Sequence, residues 1–177
     1  MYVEIAKGTP SNRGTLIPKK ELHKYLEPET PLYRSLYLYD DSAINEIQDK
    51  GSVSNYYGAR WIDKVLIDID KGQDTNEQPL RRAQNHLIAL ENEGLNINNA
   101  IQVYFSGSGY HFILPNSIFN FEASPELPYI VRKTMASLLP GIDEMVYIRS
   151  AIYRLPHTIN LKTNLYKIPL TVKELMQ

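Results

Sequence analysis

The sequence predicts an α+β fold, a mixed and largely antiparallel sheet with flanking helices. Short apolar runs of strand length recur along the chain, two stretches between them space apolar residues for helices, and a Ser-Gly-Ser-Gly turn joins two strand-like runs. Strands interrupted in this way by helices and hairpins build a sheet with helices packed on one side.

Taken in order, "LYRSLYLY" (residues 32–39) has the tyrosine and leucine content of a strand. "DDSAINEIQDK" (40–50) follows as a short helix, with Asp41 or Ser42 as its N-cap. "DKVLID" (63–68) is the next strand. "NEQPLRRAQNHLIALENEGLN" (76–96) places Leu80, Ala83, Leu87 and Leu90 on one helical face and stops at Gly94. "AIQVYFSGSGYHFILPN" (100–116) is a hairpin around its glycines. "SPELPYIVRKTMASLLPG" (124–141) is a second helix, capped by Ser124 and closed by Pro140 and Gly141. "MVYIRSAIYRL" (145–155) and "LYKIPLTV" (165–172) complete the strands, and "TVKELMQ" begins like a helix and stops.

Composition narrows the function classes. At 177 residues, 43% apolar and 22% charged, the chain suits one folded domain, and neither disorder nor a coiled coil fits. It has no cysteine, which excludes disulfides, thiolate nucleophiles and cysteine-ligated zinc. No run of the sequence is long and apolar enough for a membrane span, and "MYVEIAKGTP" lacks a signal peptide's apolar centre. The cytosol is the expected compartment, with no membrane partner. The net charge is −1, yet residues 144–177 hold five basic side chains (Arg149, Arg154, Lys162, Lys167, Lys173) against Glu144 and Glu174. A basic segment of this kind can meet phosphate, or simply face solvent.

Three stretches carry residues suited to chemistry. In "VLIDID" (65–70) an apolar strand ends in Asp68 and Asp70, which strand alternation puts on the same face. The loop sequence "KGQDT" follows, so the pair is expected at the mouth of the sheet. Two carboxylates held together repel, and a divalent cation relieves that cost; oxygen ligands favour Mg2+ or Mn2+. In "YFSGSGYHF" (104–112), Ser106, Gly107 and Gly109 offer a turn whose backbone N–H groups can cradle an anion, and His111 faces away from Tyr110 and Phe112. In "GIDEMVYIRSAIYRLPHTINLKT" (141–163), Asp143 precedes a strand on which Arg149 and Arg154 face opposite sides. Arg154, Asn160 and Lys162 gather near a proline-containing turn and match the oxygens of a triphosphate.

Together and in this order, "LIDID", "FSGSGYHF" and "ID" followed by "YRLPHTINLKT" resemble the archaeo-eukaryotic primase superfamily, in particular the small primase-polymerases of phages and plasmids. The resemblance spans residues 61–170. It implies an RRM-like catalytic sheet over residues 61–177, with residues 1–60 forming an N-terminal α/β module packed on it. It also implies a template-dependent nucleotidyltransferase, a DNA primase and polymerase working on single-stranded DNA with NTP or dNTP substrates and two Mg2+ or Mn2+ ions per active site. Asp68, Asp70 and Asp143 map onto the catalytic metal ligands. Glu144 is the alternative third ligand, although Ile142 ahead of Asp143 favours the aspartate. Ser106, Gly107, Gly109, His111, Arg154 and Lys162 map onto the nucleotide's phosphates.

The family's cysteine-rich zinc insertion has no counterpart here. Tyr56, Tyr57 and Trp61 are template-stacking candidates, and a helicase or a further C-terminal helical domain is an implied partner. The rival classes are a metal-dependent nuclease, which does not explain "SGSGYH", and a non-catalytic nucleotide or nucleic-acid binding module. A rolling-circle initiator wants paired histidines, and His23, His86, His111 and His157 show no such spacing.

Overall fold

Strand pairing builds two four-stranded antiparallel sheets and two two-stranded ones, and residues of both larger sheets line one cavity. The computed structural model describes residues 1–51, 53–70 and 78–177, so the "KGQDT" loop expected after Asp70 and the first two residues of the expected helix 76–96 lie outside it.

The first sheet begins with β1 (Tyr2–Lys7) and β2 (Thr15–Pro18), a hairpin that the sequence reading missed. Glu4 points inward and is fully buried; its carboxylate takes N–H bonds from Arg13 Nε (2.9 Å) and Gly14 N (3.0 Å). A buried carboxylate is tolerated only when its lone pairs are occupied, and here that requirement draws the hairpin loop closed. β3 (Leu32–Ser35) pairs with the other edge of β1, and β4 (Tyr37–Leu38) pairs with β5 (Trp61–Ile62), so the expected strand 32–39 breaks at Leu36. Between them runs α1 (Asp41–Lys50), whose N-cap is Asp40 rather than the expected Asp41 or Ser42. Asp40 accepts from Ala43 N at 3.1 Å, which puts Asp41 in the first turn.

The second sheet starts with β6 (Lys64–Ile69). α2 (Pro79–Asn92) buries Ala83, Leu87 and Leu90, while Leu80, in its first turn, stays 42% exposed. A short α3 (Ile97–Ala100) leads into β7 (Gln102–Phe105) and β8 (Tyr110–Pro115), the expected hairpin. β8 lies between β7 and β6. α4 (Leu127–Leu138) begins three residues after Ser124, whose backbone instead pairs with Arg60 (3.1 and 3.2 Å).

The expected strand over 145–155 is mostly absent. Asp143 Oδ1 accepts from Met145 N (2.9 Å) and turns residues Glu144–Tyr147 into a 3-10 helix, so only β9 (Ile152–Arg154) is extended. β9 leaves the second half of the chain to join β3, giving the order β2-β1-β3-β9. β10 (Ile159–Asn160) and β11 (Leu165–Tyr166) form a small hairpin, and β12 (Ile168–Leu170) adds to β7. α5 (Val172–Met176) closes on a capping box between Thr171 and Glu174. The architecture is α+β with antiparallel sheets. Among the described residues no helix is long and apolar enough to cross a membrane.

Candidate active site

Register decides which side chains meet. In the β6–β8 ladder Asp68 lies opposite His111, and in the β7–β8 ladder His111 lies opposite Tyr104, so the three share one face of the sheet. The other face of β6 carries Val65, Ile67 and Ile69, all fully buried. That apolar face fixes the register, because a one-residue slip would send Asp68 into the core.

Asp68 is half-buried. His111 Nε2 stands 3.3 Å from its Oδ1, within ion-pair distance but outside hydrogen-bond geometry, so Oδ1 is a buried oxygen with no hydrogen-bond partner among the described residues. Burial pushes the Asp68 carboxyl up, but His111 and then Lys167 outweigh it and hold it below the usual range. An ionised carboxylate with an unspent lone pair fits a hard cation.

Asp70 sits at the open rim. Ser108 Oγ donates to its Oδ1 at 3.4 Å, and a Cβ on Gly109 would overlap the Ile69 carbonyl oxygen and lie 2.6 Å from Oδ1. Glycine at 109 is therefore the condition for this close approach. Partial burial raises the Asp70 carboxyl above its ordinary value, and the charge of Asp68 pushes the same way, with Asp143 adding a smaller push.

The Ser106–Gly109 turn closes on itself. Ser106 N donates to Gly109 O (2.8 Å), and Gly109 N donates to Ser106 Oγ (3.0 Å). Gly107 takes φ +93°, and a Cβ there would press on Asn160 and Thr163, so glycine suits both its backbone and its contact. The turn is pinned from outside by Arg154, which donates to Ser106 O and, at 2.5 Å, to Thr158 O.

Between the turn and the first sheet lies an open cavity of about 440 Å³. Asp68, Asp70, Ser106, Ser108, His111, Arg154 and Lys162 all border it, as do Tyr33 of β3 and the hairpin loop at Gly8, Thr9 and Pro10. Both sheets thus line the cavity, and the exposed Lys162 reaches it from the β10–β11 turn, which packs against Gly107 through Asn160 and Thr163. Of the sequence-predicted residues, Gly107 and Gly109 support the wall from behind, while Arg154 borders the cavity with its two terminal nitrogens bonded to backbone carbonyls.

Asp143 comes from the 3-10 helix rather than from a strand, is exposed, and does not border the cavity. Its charge reaches Asp70, and Tyr147 binds its own element to β6 by donating to Leu66 O at 2.8 Å. Among the described residues no three acidic or histidine side chains are close enough together to enclose an ion. Glu144, the alternative third ligand, is paired with Arg132 (2.6 Å). That pairing leaves Asp143 the freer of the two.

Sequence reasoning missed Tyr33, Ser108 and the 8–10 loop, since only tertiary packing brings them here. It also missed Lys167, which counted only as one basic charge. Lys167 is 0% exposed; its ammonium donates to Arg154 O (2.7 Å), meets His111 Nδ1 (2.7 Å) and lies over the rings of Tyr104 and Tyr153. On the far side of the 3-10 helix, the template candidates diverge: Tyr56 is buried, Trp61 is half-buried, and Tyr57 is 60% exposed with the Arg149 guanidinium 4.6 Å from its ring centre. No protein-family model and no curated protein sequence matches the chain.

Proposed function

We propose that the chain is a template-dependent nucleotidyltransferase, a DNA primase-polymerase that synthesises or extends primers on single-stranded DNA from NTP or dNTP substrates. The observation that carries this reading is the buried oxygen of Asp68, which takes no hydrogen bond among the described residues, beside the raised carboxyl of Asp70, on a cavity whose other borders include Ser108, His111 and Lys162. Paired carboxylates and basic groups on one open cavity suit a metal-bound triphosphate.

Asp68 and Asp70 would hold divalent cations, with Asp143 as the nearest further carboxylate. Bound Mg2+ or Mn2+ supplies charge neutralisation at the attacking and leaving oxygens of an in-line displacement. The chain's own groups do the positioning. Lys162 and the N–H of His111 meet phosphate oxygens, the Ser106–Gly109 turn sets the floor, and Arg154 keeps that turn rigid. Tyr33 and the 8–10 loop limit the space left for the sugar and base. The exposed Tyr57 with Arg149 offers a stacking and charge platform for a template strand.

A non-catalytic nucleotide-binding module is the second reading, favoured by Asp143, which is exposed, caps its 3-10 helix and does not border the cavity. Labelled nucleotides with single-stranded DNA and Mn2+ or Mg2+, with and without an annealed primer, separate the two. Extension by the intact chain and none by an Asp68→Ala, Asp70→Ala variant supports the polymerase. Nucleotide binding without incorporation under either metal supports the module, and loss of DNA without added nucleotides points to a nuclease.

A further inference from the structure

A second open cavity, of about 360 Å³, lies between α4 and the segment that leads into β9. Tyr129 and Arg132 border it from α4, and Ile148, Arg149 and Ser150 from that segment. Its lining holds two arginines and no carboxylate. The triphosphate site makes no use of it.

Two tyrosines here keep their rings in solvent, Tyr129 at 62% and Tyr57 at 60% exposure. Each forgoes the stabilisation that burial of an aromatic ring brings. Each also stands among cations. On α4, Arg132 and Lys133 follow Tyr129 by three and four residues, which puts all three on one helical face, and all are exposed. Tyr57 has the Arg149 guanidinium 4.6 Å and the Lys50 ammonium 5.9 Å from its ring centre. Glu144 occupies Arg132 Nε and Glu46 is paired with Lys50, but among the described residues no carboxylate is paired with Arg149 or Lys133.

An exposed ring beside a cation gives a base a surface to stack on and the adjoining phosphate a counter-charge. Two such units at one groove suit a chain in which bases and phosphates alternate. An apolar partner would instead cover Arg149 without answering its charge. Position points the same way. Ser150 borders the groove and Ile152 borders the cavity of Asp68 and Asp70. Being two residues apart, their Cα atoms lie within about 7 Å of each other.

We infer that this groove is a binding track for single-stranded DNA, with bases stacked on Tyr129 and Tyr57 and phosphates held by Arg149 and Arg132. The track widens the Tyr57 platform into a site of two rings and delivers the strand beside the nucleotide cavity. That the strand serves as template rests on the polymerase reading; that it binds in the groove does not.

The test is fluorescence anisotropy with a labelled oligo-dT, without metal or nucleotide and at several salt concentrations, on the intact chain, Tyr129→Ala, Tyr129→Phe and Arg149→Ala. The intact chain is expected to bind, Tyr129→Ala about 5–150-fold more weakly, and Tyr129→Phe, which keeps the ring, like the intact chain. On an abasic strand of the same length the Tyr129→Ala loss should disappear. Arg149→Ala should bind more weakly and flatten the slope of log affinity against log salt by about 0.7, the share of one phosphate contact. Melting curves check that these exposed substitutions leave the fold intact. No binding of oligo-dT by the intact chain, or equal binding by folded Tyr129→Ala and Arg149→Ala, overturns the inference. Primer extension by the same proteins separates it from the polymerase reading: binding lost in the variants with no extension by the intact chain leaves the track standing without a polymerase, whereas extension by all of them alike leaves a polymerase without this track.

Discussion

Asp68 and His111 face each other across the β6–β8 ladder, with imidazole Nε2 3.3 Å from carboxylate Oδ1. The pair borders the cavity, and its titration has a definite sign. Asp68 is held low in the folded chain, so its contribution to stability is present above the unfolded carboxyl pKa and is lost as pH falls through the folded one. His111 is also held below its ordinary value, so acidification charges the unfolded ring first and favours unfolding. Both effects run the same way. Chemical denaturation between pH 7 and pH 2 should therefore show the intact chain losing more stability on acidification than His111→Ala, with the gap between them largest at neutral pH.

Asp70 carries the opposite sign. Its carboxyl is raised in the folded chain, so the folded state favours the proton, and stability falls as pH rises through the folded value. Asp70→Asn should stabilise the fold at pH 7 by less than about 1 kcal/mol, because the rim is open to solvent, and the gain should vanish in acid. Mn2+ should raise the melting temperature of the intact chain and much less that of the variant.

Gly109 tests the close approach at the rim. Gly109→Ala places a methyl group against the Ile69 carbonyl and the Asp70 carboxylate, which should cost about 1–3 kcal/mol in denaturant unfolding. Because the strain falls on Asp70, Mn2+ affinity should drop with stability.

Arg154 and Lys162 border the same cavity but do different work. Arg154→Met removes one donor from each of the Ser106 and Thr158 carbonyls, which keep Asn160 Nδ2 (3.4 Å) and Lys167 N (3.1 Å), and should cost about 1–3 kcal/mol of stability. Lys162→Ala should change stability by no more than about 0.5 kcal/mol. It should weaken triphosphate binding about tenfold, equivalent to about 1.4 kcal/mol by calorimetry.

Tyr57 and Arg149 predict a template contact. Tyr57→Ala should cost about 1–3 kcal/mol of single-stranded DNA affinity, measured by fluorescence anisotropy, and leave triphosphate affinity unchanged.

Much of the fold and half of the site are legible in the sequence for a physical reason: local pattern encodes local structure. The alternation in "VLIDID" places both aspartates, and the glycines of "SGSGYH" place the turn and His111 opposite Asp68. Other features depend on contacts distant in sequence. Met145, Tyr147 and the residues around them alternate like a strand, yet the Asp143 side chain caps a 3-10 turn there. Glu4 reads as a solvent-facing charge until Arg13 folds back onto it. Lys167 likewise looks like surface charge, because its two neighbours in sequence, Tyr166 and Ile168, are exposed; only the pairing of β12 with β7 turns it inward. Arg149 and Arg154 were assigned to opposite faces of one strand, but Arg149 precedes β9 and stands against Tyr57.

The central claim is that the Asp68–Asp70 pair and the cavity beside it form one site for a metal-bound nucleoside triphosphate. Calorimetric titration of a non-hydrolysable triphosphate, with and without Mn2+, into the intact chain and into Asp68→Asn, Asp70→Asn tests it most directly. The account predicts binding by the intact chain that weakens at least tenfold without Mn2+ and equally in the variant. Equal affinity in all these conditions would contradict it.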